Sequence, residues 1–127
     1  MKRWMALAAL AALTVGAHAA DPYPSKPITI VVPFAAGGPT DRVARDLAIA
    51  MAKQIPGSNF VVENAAGAGG TIGANKVAKA APDGYTIMVG TNSTNAALKS
   101  LMKKLPYDQD TAFAPIGYIG SVPLIVA

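Results

Sequence analysis

Two glycine-rich segments contain the residues of this sequence best suited to hold a ligand. They read Ala36-Gly37-Gly38-Pro39-Thr40-Asp41 and Gly67-Ala68-Gly69-Gly70-Thr71, and each stands between a predicted strand and a predicted helix. The first N–H groups of a helix lack a partner within it and the helix dipole makes that end positive, so a helix start attracts anions. We therefore predict that both segments bind a small anion, such as a carboxylate or a phosphate. Glycine after a strand can also serve only as a tight turn, and that alternative stays open.

A third segment with binding chemistry follows the third predicted strand. Residues 91–95 read Thr-Asn-Ser-Thr-Asn and offer hydroxyl and amide groups that can orient the polar parts of a small ligand. Phe34 ends the first predicted strand, beside the first glycine segment. It is expected either to form a wall of the ligand cavity or to belong to the core.

Catalytic and metal-binding side chains are scarce. Once an N-terminal leader is set aside, the chain has neither histidine nor cysteine, and no serine stands in a Gly-x-Ser-x-Gly elbow. The seven Asp and Glu residues are scattered along the sequence, which does not favour a metal site. Asp41, near a helix start, is expected to cap the helix rather than act as a general base. We predict no catalytic residue, no metal and no cofactor.

The segment from Gly67 to Gly73 matches a dinucleotide-binding fingerprint only in part. Its third glycine comes one position late for G-x-G-x-x-G, and the loop follows the second strand instead of the first. The sequence also lacks the Gly-Lys-Ser or Gly-Lys-Thr of a phosphate-binding P-loop. A periplasmic enzyme or nucleotide-binding domain that uses the Gly67 loop is therefore the alternative to a binding protein without enzymatic activity.

Residues 1–19 have the pattern of a cleavable signal peptide. Lys2 and Arg3 precede a short apolar run, and Ala17-His18-Ala19 provides the small residues that signal peptidase needs. We predict a mature chain that begins at Ala20 and is located in the periplasm. That chain has nine Lys and Arg against seven Asp and Glu. The balance and the absence of a clustered basic face argue against nucleic-acid binding.

The rest of the sequence repeats a strand, a loop and a helix three times, which predicts an α/β fold with a partial doubly wound parallel sheet. Val43, Leu47, Met51 and Ile55 are predicted to form the apolar face of the first helix. The predicted strands are 28–34, 60–64 and 85–91, and the predicted helices begin near Pro39, run from 71 to 81, and end near Lys103. Residues 122–127 are predicted to begin a further strand. Because no turn or polar tail ends it, we expect residues 20–127 to come from a truncated reading frame or a fragment, and a truncated product without a function of its own stays open as a further alternative.

Several ordered motifs resemble the tripartite tricarboxylate transporter receptors, also called Bug solute-binding proteins. They are Tyr23-Pro24-Ser25-Lys26-Pro27-Ile28, Val32-Pro33-Phe34-Ala35-Ala36-Gly37-Gly38-Pro39-Thr40-Asp41, Val62-Glu63-Asn64-Ala65-Ala66-Gly67-Ala68-Gly69-Gly70, Ala78-Lys79-Ala80-Ala81-Pro82-Asp83-Gly84-Tyr85-Thr86, Lys104-Leu105-Pro106-Tyr107-Asp108 and Phe113-Ala114-Pro115-Ile116. The resemblance covers essentially the whole mature chain. Many relatives have a proline before the first pair of glycines, where this sequence has Ala36, and we expect a slightly looser loop here.

The resemblance implies that residues 20–127 are the N-terminal part of the first lobe of a two-lobed periplasmic receptor, truncated before the second lobe. Such a receptor closes on a small organic anion, often a di- or tricarboxylate or an acidic amino acid, and delivers it, as a monomer, to a membrane permease. Family members are well over twice as long as this chain, so half of the site is expected to lie elsewhere. The candidate ligand-binding residues are Phe34, Ala36, Gly37, Gly38, Thr40, Asp41, Gly67, Ala68, Gly69, Gly70, Thr91, Asn92 and Ser93.

Overall fold

The computed structural model describes residues 22–121. The predicted signal peptide at 1–19, the mature start at Ala20 and the strand predicted at 122–127 therefore lie outside the described residues. Within 22–121 no helix is long and apolar enough to cross a membrane.

The described chain alternates strands and helices, which confirms the predicted α/β class. The elements are β1 (Ile28–Val32), α1 (Pro39–Gln54), β2 (Phe60–Asn64), α2 (Thr71–Ala78), β3 (Thr86–Met88) and α3 (Leu98–Leu101). A single turn of 3-10 helix, Ala68–Gly70, precedes α2, and a stretch of π-helix, Ser93–Ala97, precedes α3.

The three described strands form one parallel sheet in the order β2-β1-β3. Ile30 of β1 stands opposite Val62 of β2 and Ile87 of β3. The β-branched run of β1 is almost completely buried, as expected for a strand with neighbours on both sides. The chain leaves β1 in one direction to form β2 and returns past β1 to form β3. This reversal places a topological switch point between β1 and β3, where ligands of open parallel sheets bind.

Helix α1 begins and ends where the sequence signals predict. Pro39 is in the first turn with Gly38 as the preceding cap residue, and Gly57, with φ of 79°, follows the last turn. The predicted apolar face is partly wrong, since Val43 is 40% exposed and Ala44 is fully buried. The small Ala44 lets α1 pack closely on the sheet, so the buried face is rotated from the one that side-chain size alone indicates.

Four other predicted elements have different bounds in the structure. β1 ends at Val32 because Pro33 has no N–H with which to continue the ladder. β3 is three residues long, and α2 ends at Ala78, so that Ala81 is exposed. The helix predicted to end near Lys103 ends at Leu101. Its helical turns begin at Asn92, so the polar segment is itself the start of that helix.

The core lies between the sheet and α1. The fully buried side chains of Ile30, Val32 and Ala44 form its centre together with Val89. The half-buried residues packed against it include Phe34, Leu47, Ala48, Phe60, Val62 and Ile87.

Candidate functional site

The segments that follow the three strands meet at one edge of the sheet, because parallel strands all end there. We call residues 33–38 the first loop, 65–70 the second loop and 89–91 the third loop. A Cβ atom added at Gly70 would lie 2.7 Å from Cγ2 of Thr94 and 3.4 Å from Cζ of Phe34. Gly70 therefore lies against the residues that follow both of the other strands, and the sequence-predicted segments are brought together in space.

The first loop is held from its inner side by Asp41. One carboxylate oxygen, Oδ2, accepts hydrogen bonds from the Gly37 N–H at 2.9 Å and from Arg45 Nε at 3.0 Å. The other, Oδ1, accepts from Arg45 Nη2 at 3.0 Å and from Asn64 Nδ2 at 2.9 Å. Asp41 is only 3% exposed. Its two oxygens are thus occupied by protein donors. The backbone donor, the Gly37 N–H, precedes the cap residue Gly38, so Asp41 holds the first loop instead of capping the helix as predicted.

These contacts hold the pKa of Asp41 well below its usual value of 3.8. The largest cause is the hydrogen bond from Arg45, followed by those from the Gly37 N–H and from Asn64, while burial opposes them. Arg45 is affected reciprocally, since Asp41 raises the pKa of its guanidinium. The pair is therefore ionised at neutral pH.

Acid is expected to remove the contribution of Asp41 to stability. Because the folded-state pKa lies below the unfolded value, this contribution is complete above about pH 5 and declines as the pH falls through about 4 towards the folded value. Asp41→Asn should therefore unfold more easily than the wild type at pH 7, and the difference should narrow as the pH falls. Urea unfolding between pH 7 and pH 2.5 measures both curves. Asp46→Asn, on an exposed face of the same helix, is the matched control, and a wild-type advantage that is independent of pH would contradict the assignment.

The second loop has a backbone that only glycine adopts readily. The φ angles of Gly67, Ala68, Gly69 and Gly70 are 131°, 47°, 66° and 99°. The Gly70 N–H donates to the carbonyl of Gly67 at 2.9 Å, closing the turn that leads into α2. A side chain at Gly67 would also meet Cδ1 of Ile72 at 2.5 Å. The glycines therefore shape this loop, and the alternative of a plain tight turn accounts for part of their placement.

The first turn of α1 keeps backbone donors at this edge, whereas at the start of α2 the N–H groups of Gly70 and Thr71 donate to the carbonyls of Gly67 and Ala68. Within the described residues neither helix has a side-chain hydrogen bond at its cap residue, Gly38 or Gly70. Some predicted amides are used inside the protein, since Gly37 N–H binds Asp41 and Gly38 N–H makes a long 3.4 Å bond to the Ala35 carbonyl. The first-turn N–H groups of Thr40 and Asp41 are the donors that a helix start presents to an anion.

The third loop is organised around Thr94, which is completely buried. Its hydroxyl accepts from the Thr91 N–H at 2.9 Å and lies 3.1 Å from the Thr91 carbonyl. The Thr94 carbonyl accepts from the hydroxyl of Tyr107 at 3.0 Å and from Gln109 Nε2 at 2.7 Å. The Thr91 hydroxyl is itself buried, and it has no hydrogen-bond partner within residues 22–121. Of the three predicted residues here, Asn92 and Ser93 are exposed and Thr91 is partly buried.

Sequence reasoning missed two residues of this site. Arg45 and Asn64 bind Asp41, but neither was predicted to belong to the site. Thr94 was expected, with residues 91–95, to orient a ligand, and it is instead buried and bonded within the protein. Asn64 ends β2 immediately before the second loop, and that position at a strand end was the signal that could have identified it. The predicted ligand contacts of the thirteen candidate residues remain predictions.

Two surface depressions lie away from the glycine loops. One, of about 240 Å³, is lined by residues of α3 and the segment after it, including Lys103, Tyr107 and Gln109. The other, of about 250 Å³, lies at the opposite edge of the sheet, beside Lys26 and Asn59. Residues 35–37 of the first loop and 66–69 of the second loop are exposed, so these two loops form an open surface. In the described part of the chain no three acidic, histidine or cysteine side chains are grouped as a metal site would require.

An α/β sheet whose loops collect backbone donors at the switch point is the architecture of a protein that binds a small ligand there. The chain belongs to the tripartite tricarboxylate transporter receptor family. The model of this family, described as "Tripartite tricarboxylate transporter family receptor", matches residues 43–127. Members of this family are solute-binding receptors and not enzymes. The family resemblance predicted from the sequence motifs is thereby confirmed. The alternative prediction of a periplasmic enzyme is not confirmed.

Known relatives cover nearly all of this chain. Protein BugT of Bordetella pertussis is 41% identical over 130 residues, which span 99% of this chain and 40% of BugT. The solved structure of the periplasmic binding protein BugD is 53% identical, with a TM-score of 0.70 over 75% of this chain and 31% of BugD. MatC from Rhodopseudomonas palustris, solved with bound malate, is 49% identical, with a TM-score of 0.66 over 73% of this chain and 31% of MatC. The chain thus spans less than half the length of these relatives.

Proposed function

We propose that the three loops bind one carboxylate group of a small organic anion, as part of a periplasmic receptor that supplies a tripartite membrane transporter. The observation that carries the proposal is that Phe34 of the first loop and Thr94, which follows the third loop, both lie against Gly70 of the second loop, at the edge where α1 begins without a side-chain cap. The solute is a di- or tricarboxylate or an acidic amino acid. Malate bound to the related MatC supports the carboxylate class.

The backbone donors perform the recognition in this proposal. A carboxylate near the first turn of α1 accepts hydrogen bonds from N–H groups and is favoured by the helix dipole. The ring of Phe34, beside Gly70, borders the apolar part of the solute. The buried hydroxyl of Thr91, which has no acceptor or donor among the described residues, supplies a further polar contact when the third loop adjusts.

The open shape of the edge indicates that a second wall completes the site. A ligand pocket encloses most of a small molecule, whereas the first and second loops form an exposed surface. The relatives are more than twice as long as this chain. The proposal therefore includes a second lobe that closes over the solute. Residues 1–19 direct export, the mature protein begins at Ala20, and the loaded receptor docks as a monomer on a permease.

Isothermal titration of the full-length receptor that carries this sequence tests the proposal. The panel consists of malate, other dicarboxylates of different lengths, citrate, aspartate and glutamate, with a nucleotide and an uncharged sugar as negative ligands. Binding of at least one carboxylate and of neither negative ligand is the expected result. Binding of the nucleotide alone would overturn the proposal.

Gly38→Val is expected to abolish carboxylate binding and to leave the fold intact. Gly38 has a φ of −73°, and an added Cβ would meet only the Ala35 carbonyl, at 3.3 Å. The backbone conformation therefore accepts a side chain if the Ala35 carbonyl yields by a few tenths of an ångström, and the new side chain covers the start of α1. The melting temperature should stay within about 4 °C of wild type. Gly117→Val, where an added Cβ meets nothing within 4 Å, should bind normally, and normal binding by Gly38→Val would place the anion elsewhere.

A further inference from the structure

Asp41, Arg45 and Asn64 form a hydrogen-bonded cluster that joins three elements of the fold. Asp41 and Arg45 are one turn apart on α1 and make a two-pronged ion pair. Asn64, the last residue of β2, donates to Asp41 at 2.9 Å and to the Phe34 carbonyl at 3.1 Å. We call these three side chains the loop clamp.

The loop clamp fixes the first loop at both of its ends. Asn64 holds the carbonyl of Phe34, and Asp41 holds the N–H of Gly37. Both bonds lie on the inner side of the loop. The backbone between these two points has few remaining ways to move, so the donors on its outer side keep one orientation.

The clamp also sets the spacing between the first and second loops. Asn64 immediately precedes the second loop, and the N–H of the next residue, Ala65, donates to the Val32 carbonyl at 2.8 Å. The start of the second loop is therefore tied to the end of β1 by backbone and side-chain bonds together.

A plain surface ion pair does not explain this arrangement. An exposed pair at i and i+4 contributes little and needs no third partner. Here the Asp41 side chain is only 4% exposed although that of Arg45 is 51% exposed, and the carboxylate is shared with a loop amide and with a residue of another element. The buried end of the pair faces the loops.

We propose that the loop clamp positions the ligand site, holding the first and second loops at the separation that one carboxylate requires. Its three members are positioning residues and do not touch the solute. This inference rests on the proposed function, since it assigns to these side chains the preorganisation of that site.

Because Asp41 is charged, its positioning role can be distinguished by experiment from a direct electrostatic effect on the solute. If the carboxylate acted on the solute through space, its neutralisation would remove a repulsion and would tighten binding of an anion. If it acts through loop geometry, Asp41→Asn weakens binding. The NH2 group of the new asparagine is itself a donor, so it cannot accept the hydrogen bonds that Arg45 or Asn64 donates. The two mechanisms predict opposite signs.

The first measurement is hydrogen–deuterium exchange of the full-length receptor without ligand. Asp41→Asn should accelerate exchange within residues 34–38 and 65–70, and it should leave the interior of α1 and β1 protected. Asp46→Asn, which removes a carboxylate from an exposed position of the same helix, should exchange like wild type. Unchanged exchange in both loops of Asp41→Asn would overturn the inference even if no solute were ever found.

The second measurement is affinity for the carboxylate found by titration. Asp41→Asn should bind about tenfold more weakly, the effect of losing one charge-assisted hydrogen bond. Arg45→Lys, which keeps the charge but not the two-pronged contact, should lie between it and wild type. Arg42→Lys, at an exposed position of α1, should equal wild type. Tighter binding by Asp41→Asn would show a through-space effect and overturn the clamp.

The two failures can be separated. A wild-type receptor that binds no carboxylate contradicts the proposed function, and the exchange data still decide whether the clamp orders the loops. A receptor that binds normally with Asp41→Asn contradicts only the clamp. If Asp41→Asn melts too low to be measured, Asn64→Ala replaces it, because this change removes the bond to Phe34 and retains the ion pair.

Discussion

Gly73→Ala is expected to destabilise the protein by at least about 2 kcal/mol and to lower its melting temperature by roughly 10 °C. Gly73 lies in α2 where the helix crosses the end of β1. A Cβ atom there would lie 2.8 Å from Cα of Pro33 and 2.9 Å from the carbonyl oxygen of Ala65. Both atoms belong to the backbone and cannot move aside as a flexible side chain would, so α2 must shift away from the sheet.

The sign of this effect is the informative part. In an open helix the same change would stabilise the protein by about 1 kcal/mol, because alanine is the better helix former. Thermal and urea unfolding of Gly73→Ala therefore decide between close packing and intrinsic propensity. Gly117→Ala adds the same methyl group in open space and should leave the transition unchanged. Equal or higher stability of Gly73→Ala would show that α2 does not approach β1 as closely as the structure has it.

The elements of the fold were predictable where a local signal was strong. The β-branched run before Pro33 predicts a buried central strand, and Pro39 with Gly57 marks the two ends of α1. The burial of Ala44 in place of Val43 was not predictable, because the choice depends on how closely the helix approaches the sheet. The order of the strands could not be predicted from local sequence signals either. It places β1 between β2 and β3, so that the third loop is as near to the first loop as the second loop is.

The loops of the candidate site could be predicted from the sequence, but the hydrogen bonds that hold them could not. Glycines after parallel strands predicted the loops that the structure brings together at one edge of the sheet, and Asp41 was expected to cap a helix start. Its partners Arg45 and Asn64 lie 4 and 23 residues away in sequence, and the contact with Asn64 exists only after β1 and β2 pair in register. The burial of Thr94 likewise depends on Tyr107 and Gln109, which approach it from a later segment.

Gly70→Ala is expected to abolish carboxylate binding and to destabilise the fold by about 2 to 4 kcal/mol. Two causes act together. Gly70 has a φ of 99°, which a residue with a Cβ adopts only under strain, and the new Cβ would lie 2.7 Å from Cγ2 of Thr94. Thr94 cannot rotate freely, because it is fully buried and its hydroxyl is bonded to Thr91. The second loop and the helical turn after the third loop are therefore pushed apart.

Thr94→Ser separates the two causes, because it removes the methyl group and keeps the hydroxyl that organises the third loop. Alone it should cost about 1 kcal/mol, the loss of one buried methyl group. Combined with Gly70→Ala, it should relieve the steric contact between residues 70 and 94. The double variant should therefore lose about 1 to 2 kcal/mol less stability than the sum of the two single losses. Urea unfolding of the four proteins measures this coupling, and titration with the solute measures whether binding returns with it. Strict additivity would mean that Gly70 and Thr94 do not touch, and the three loops would then not form one site.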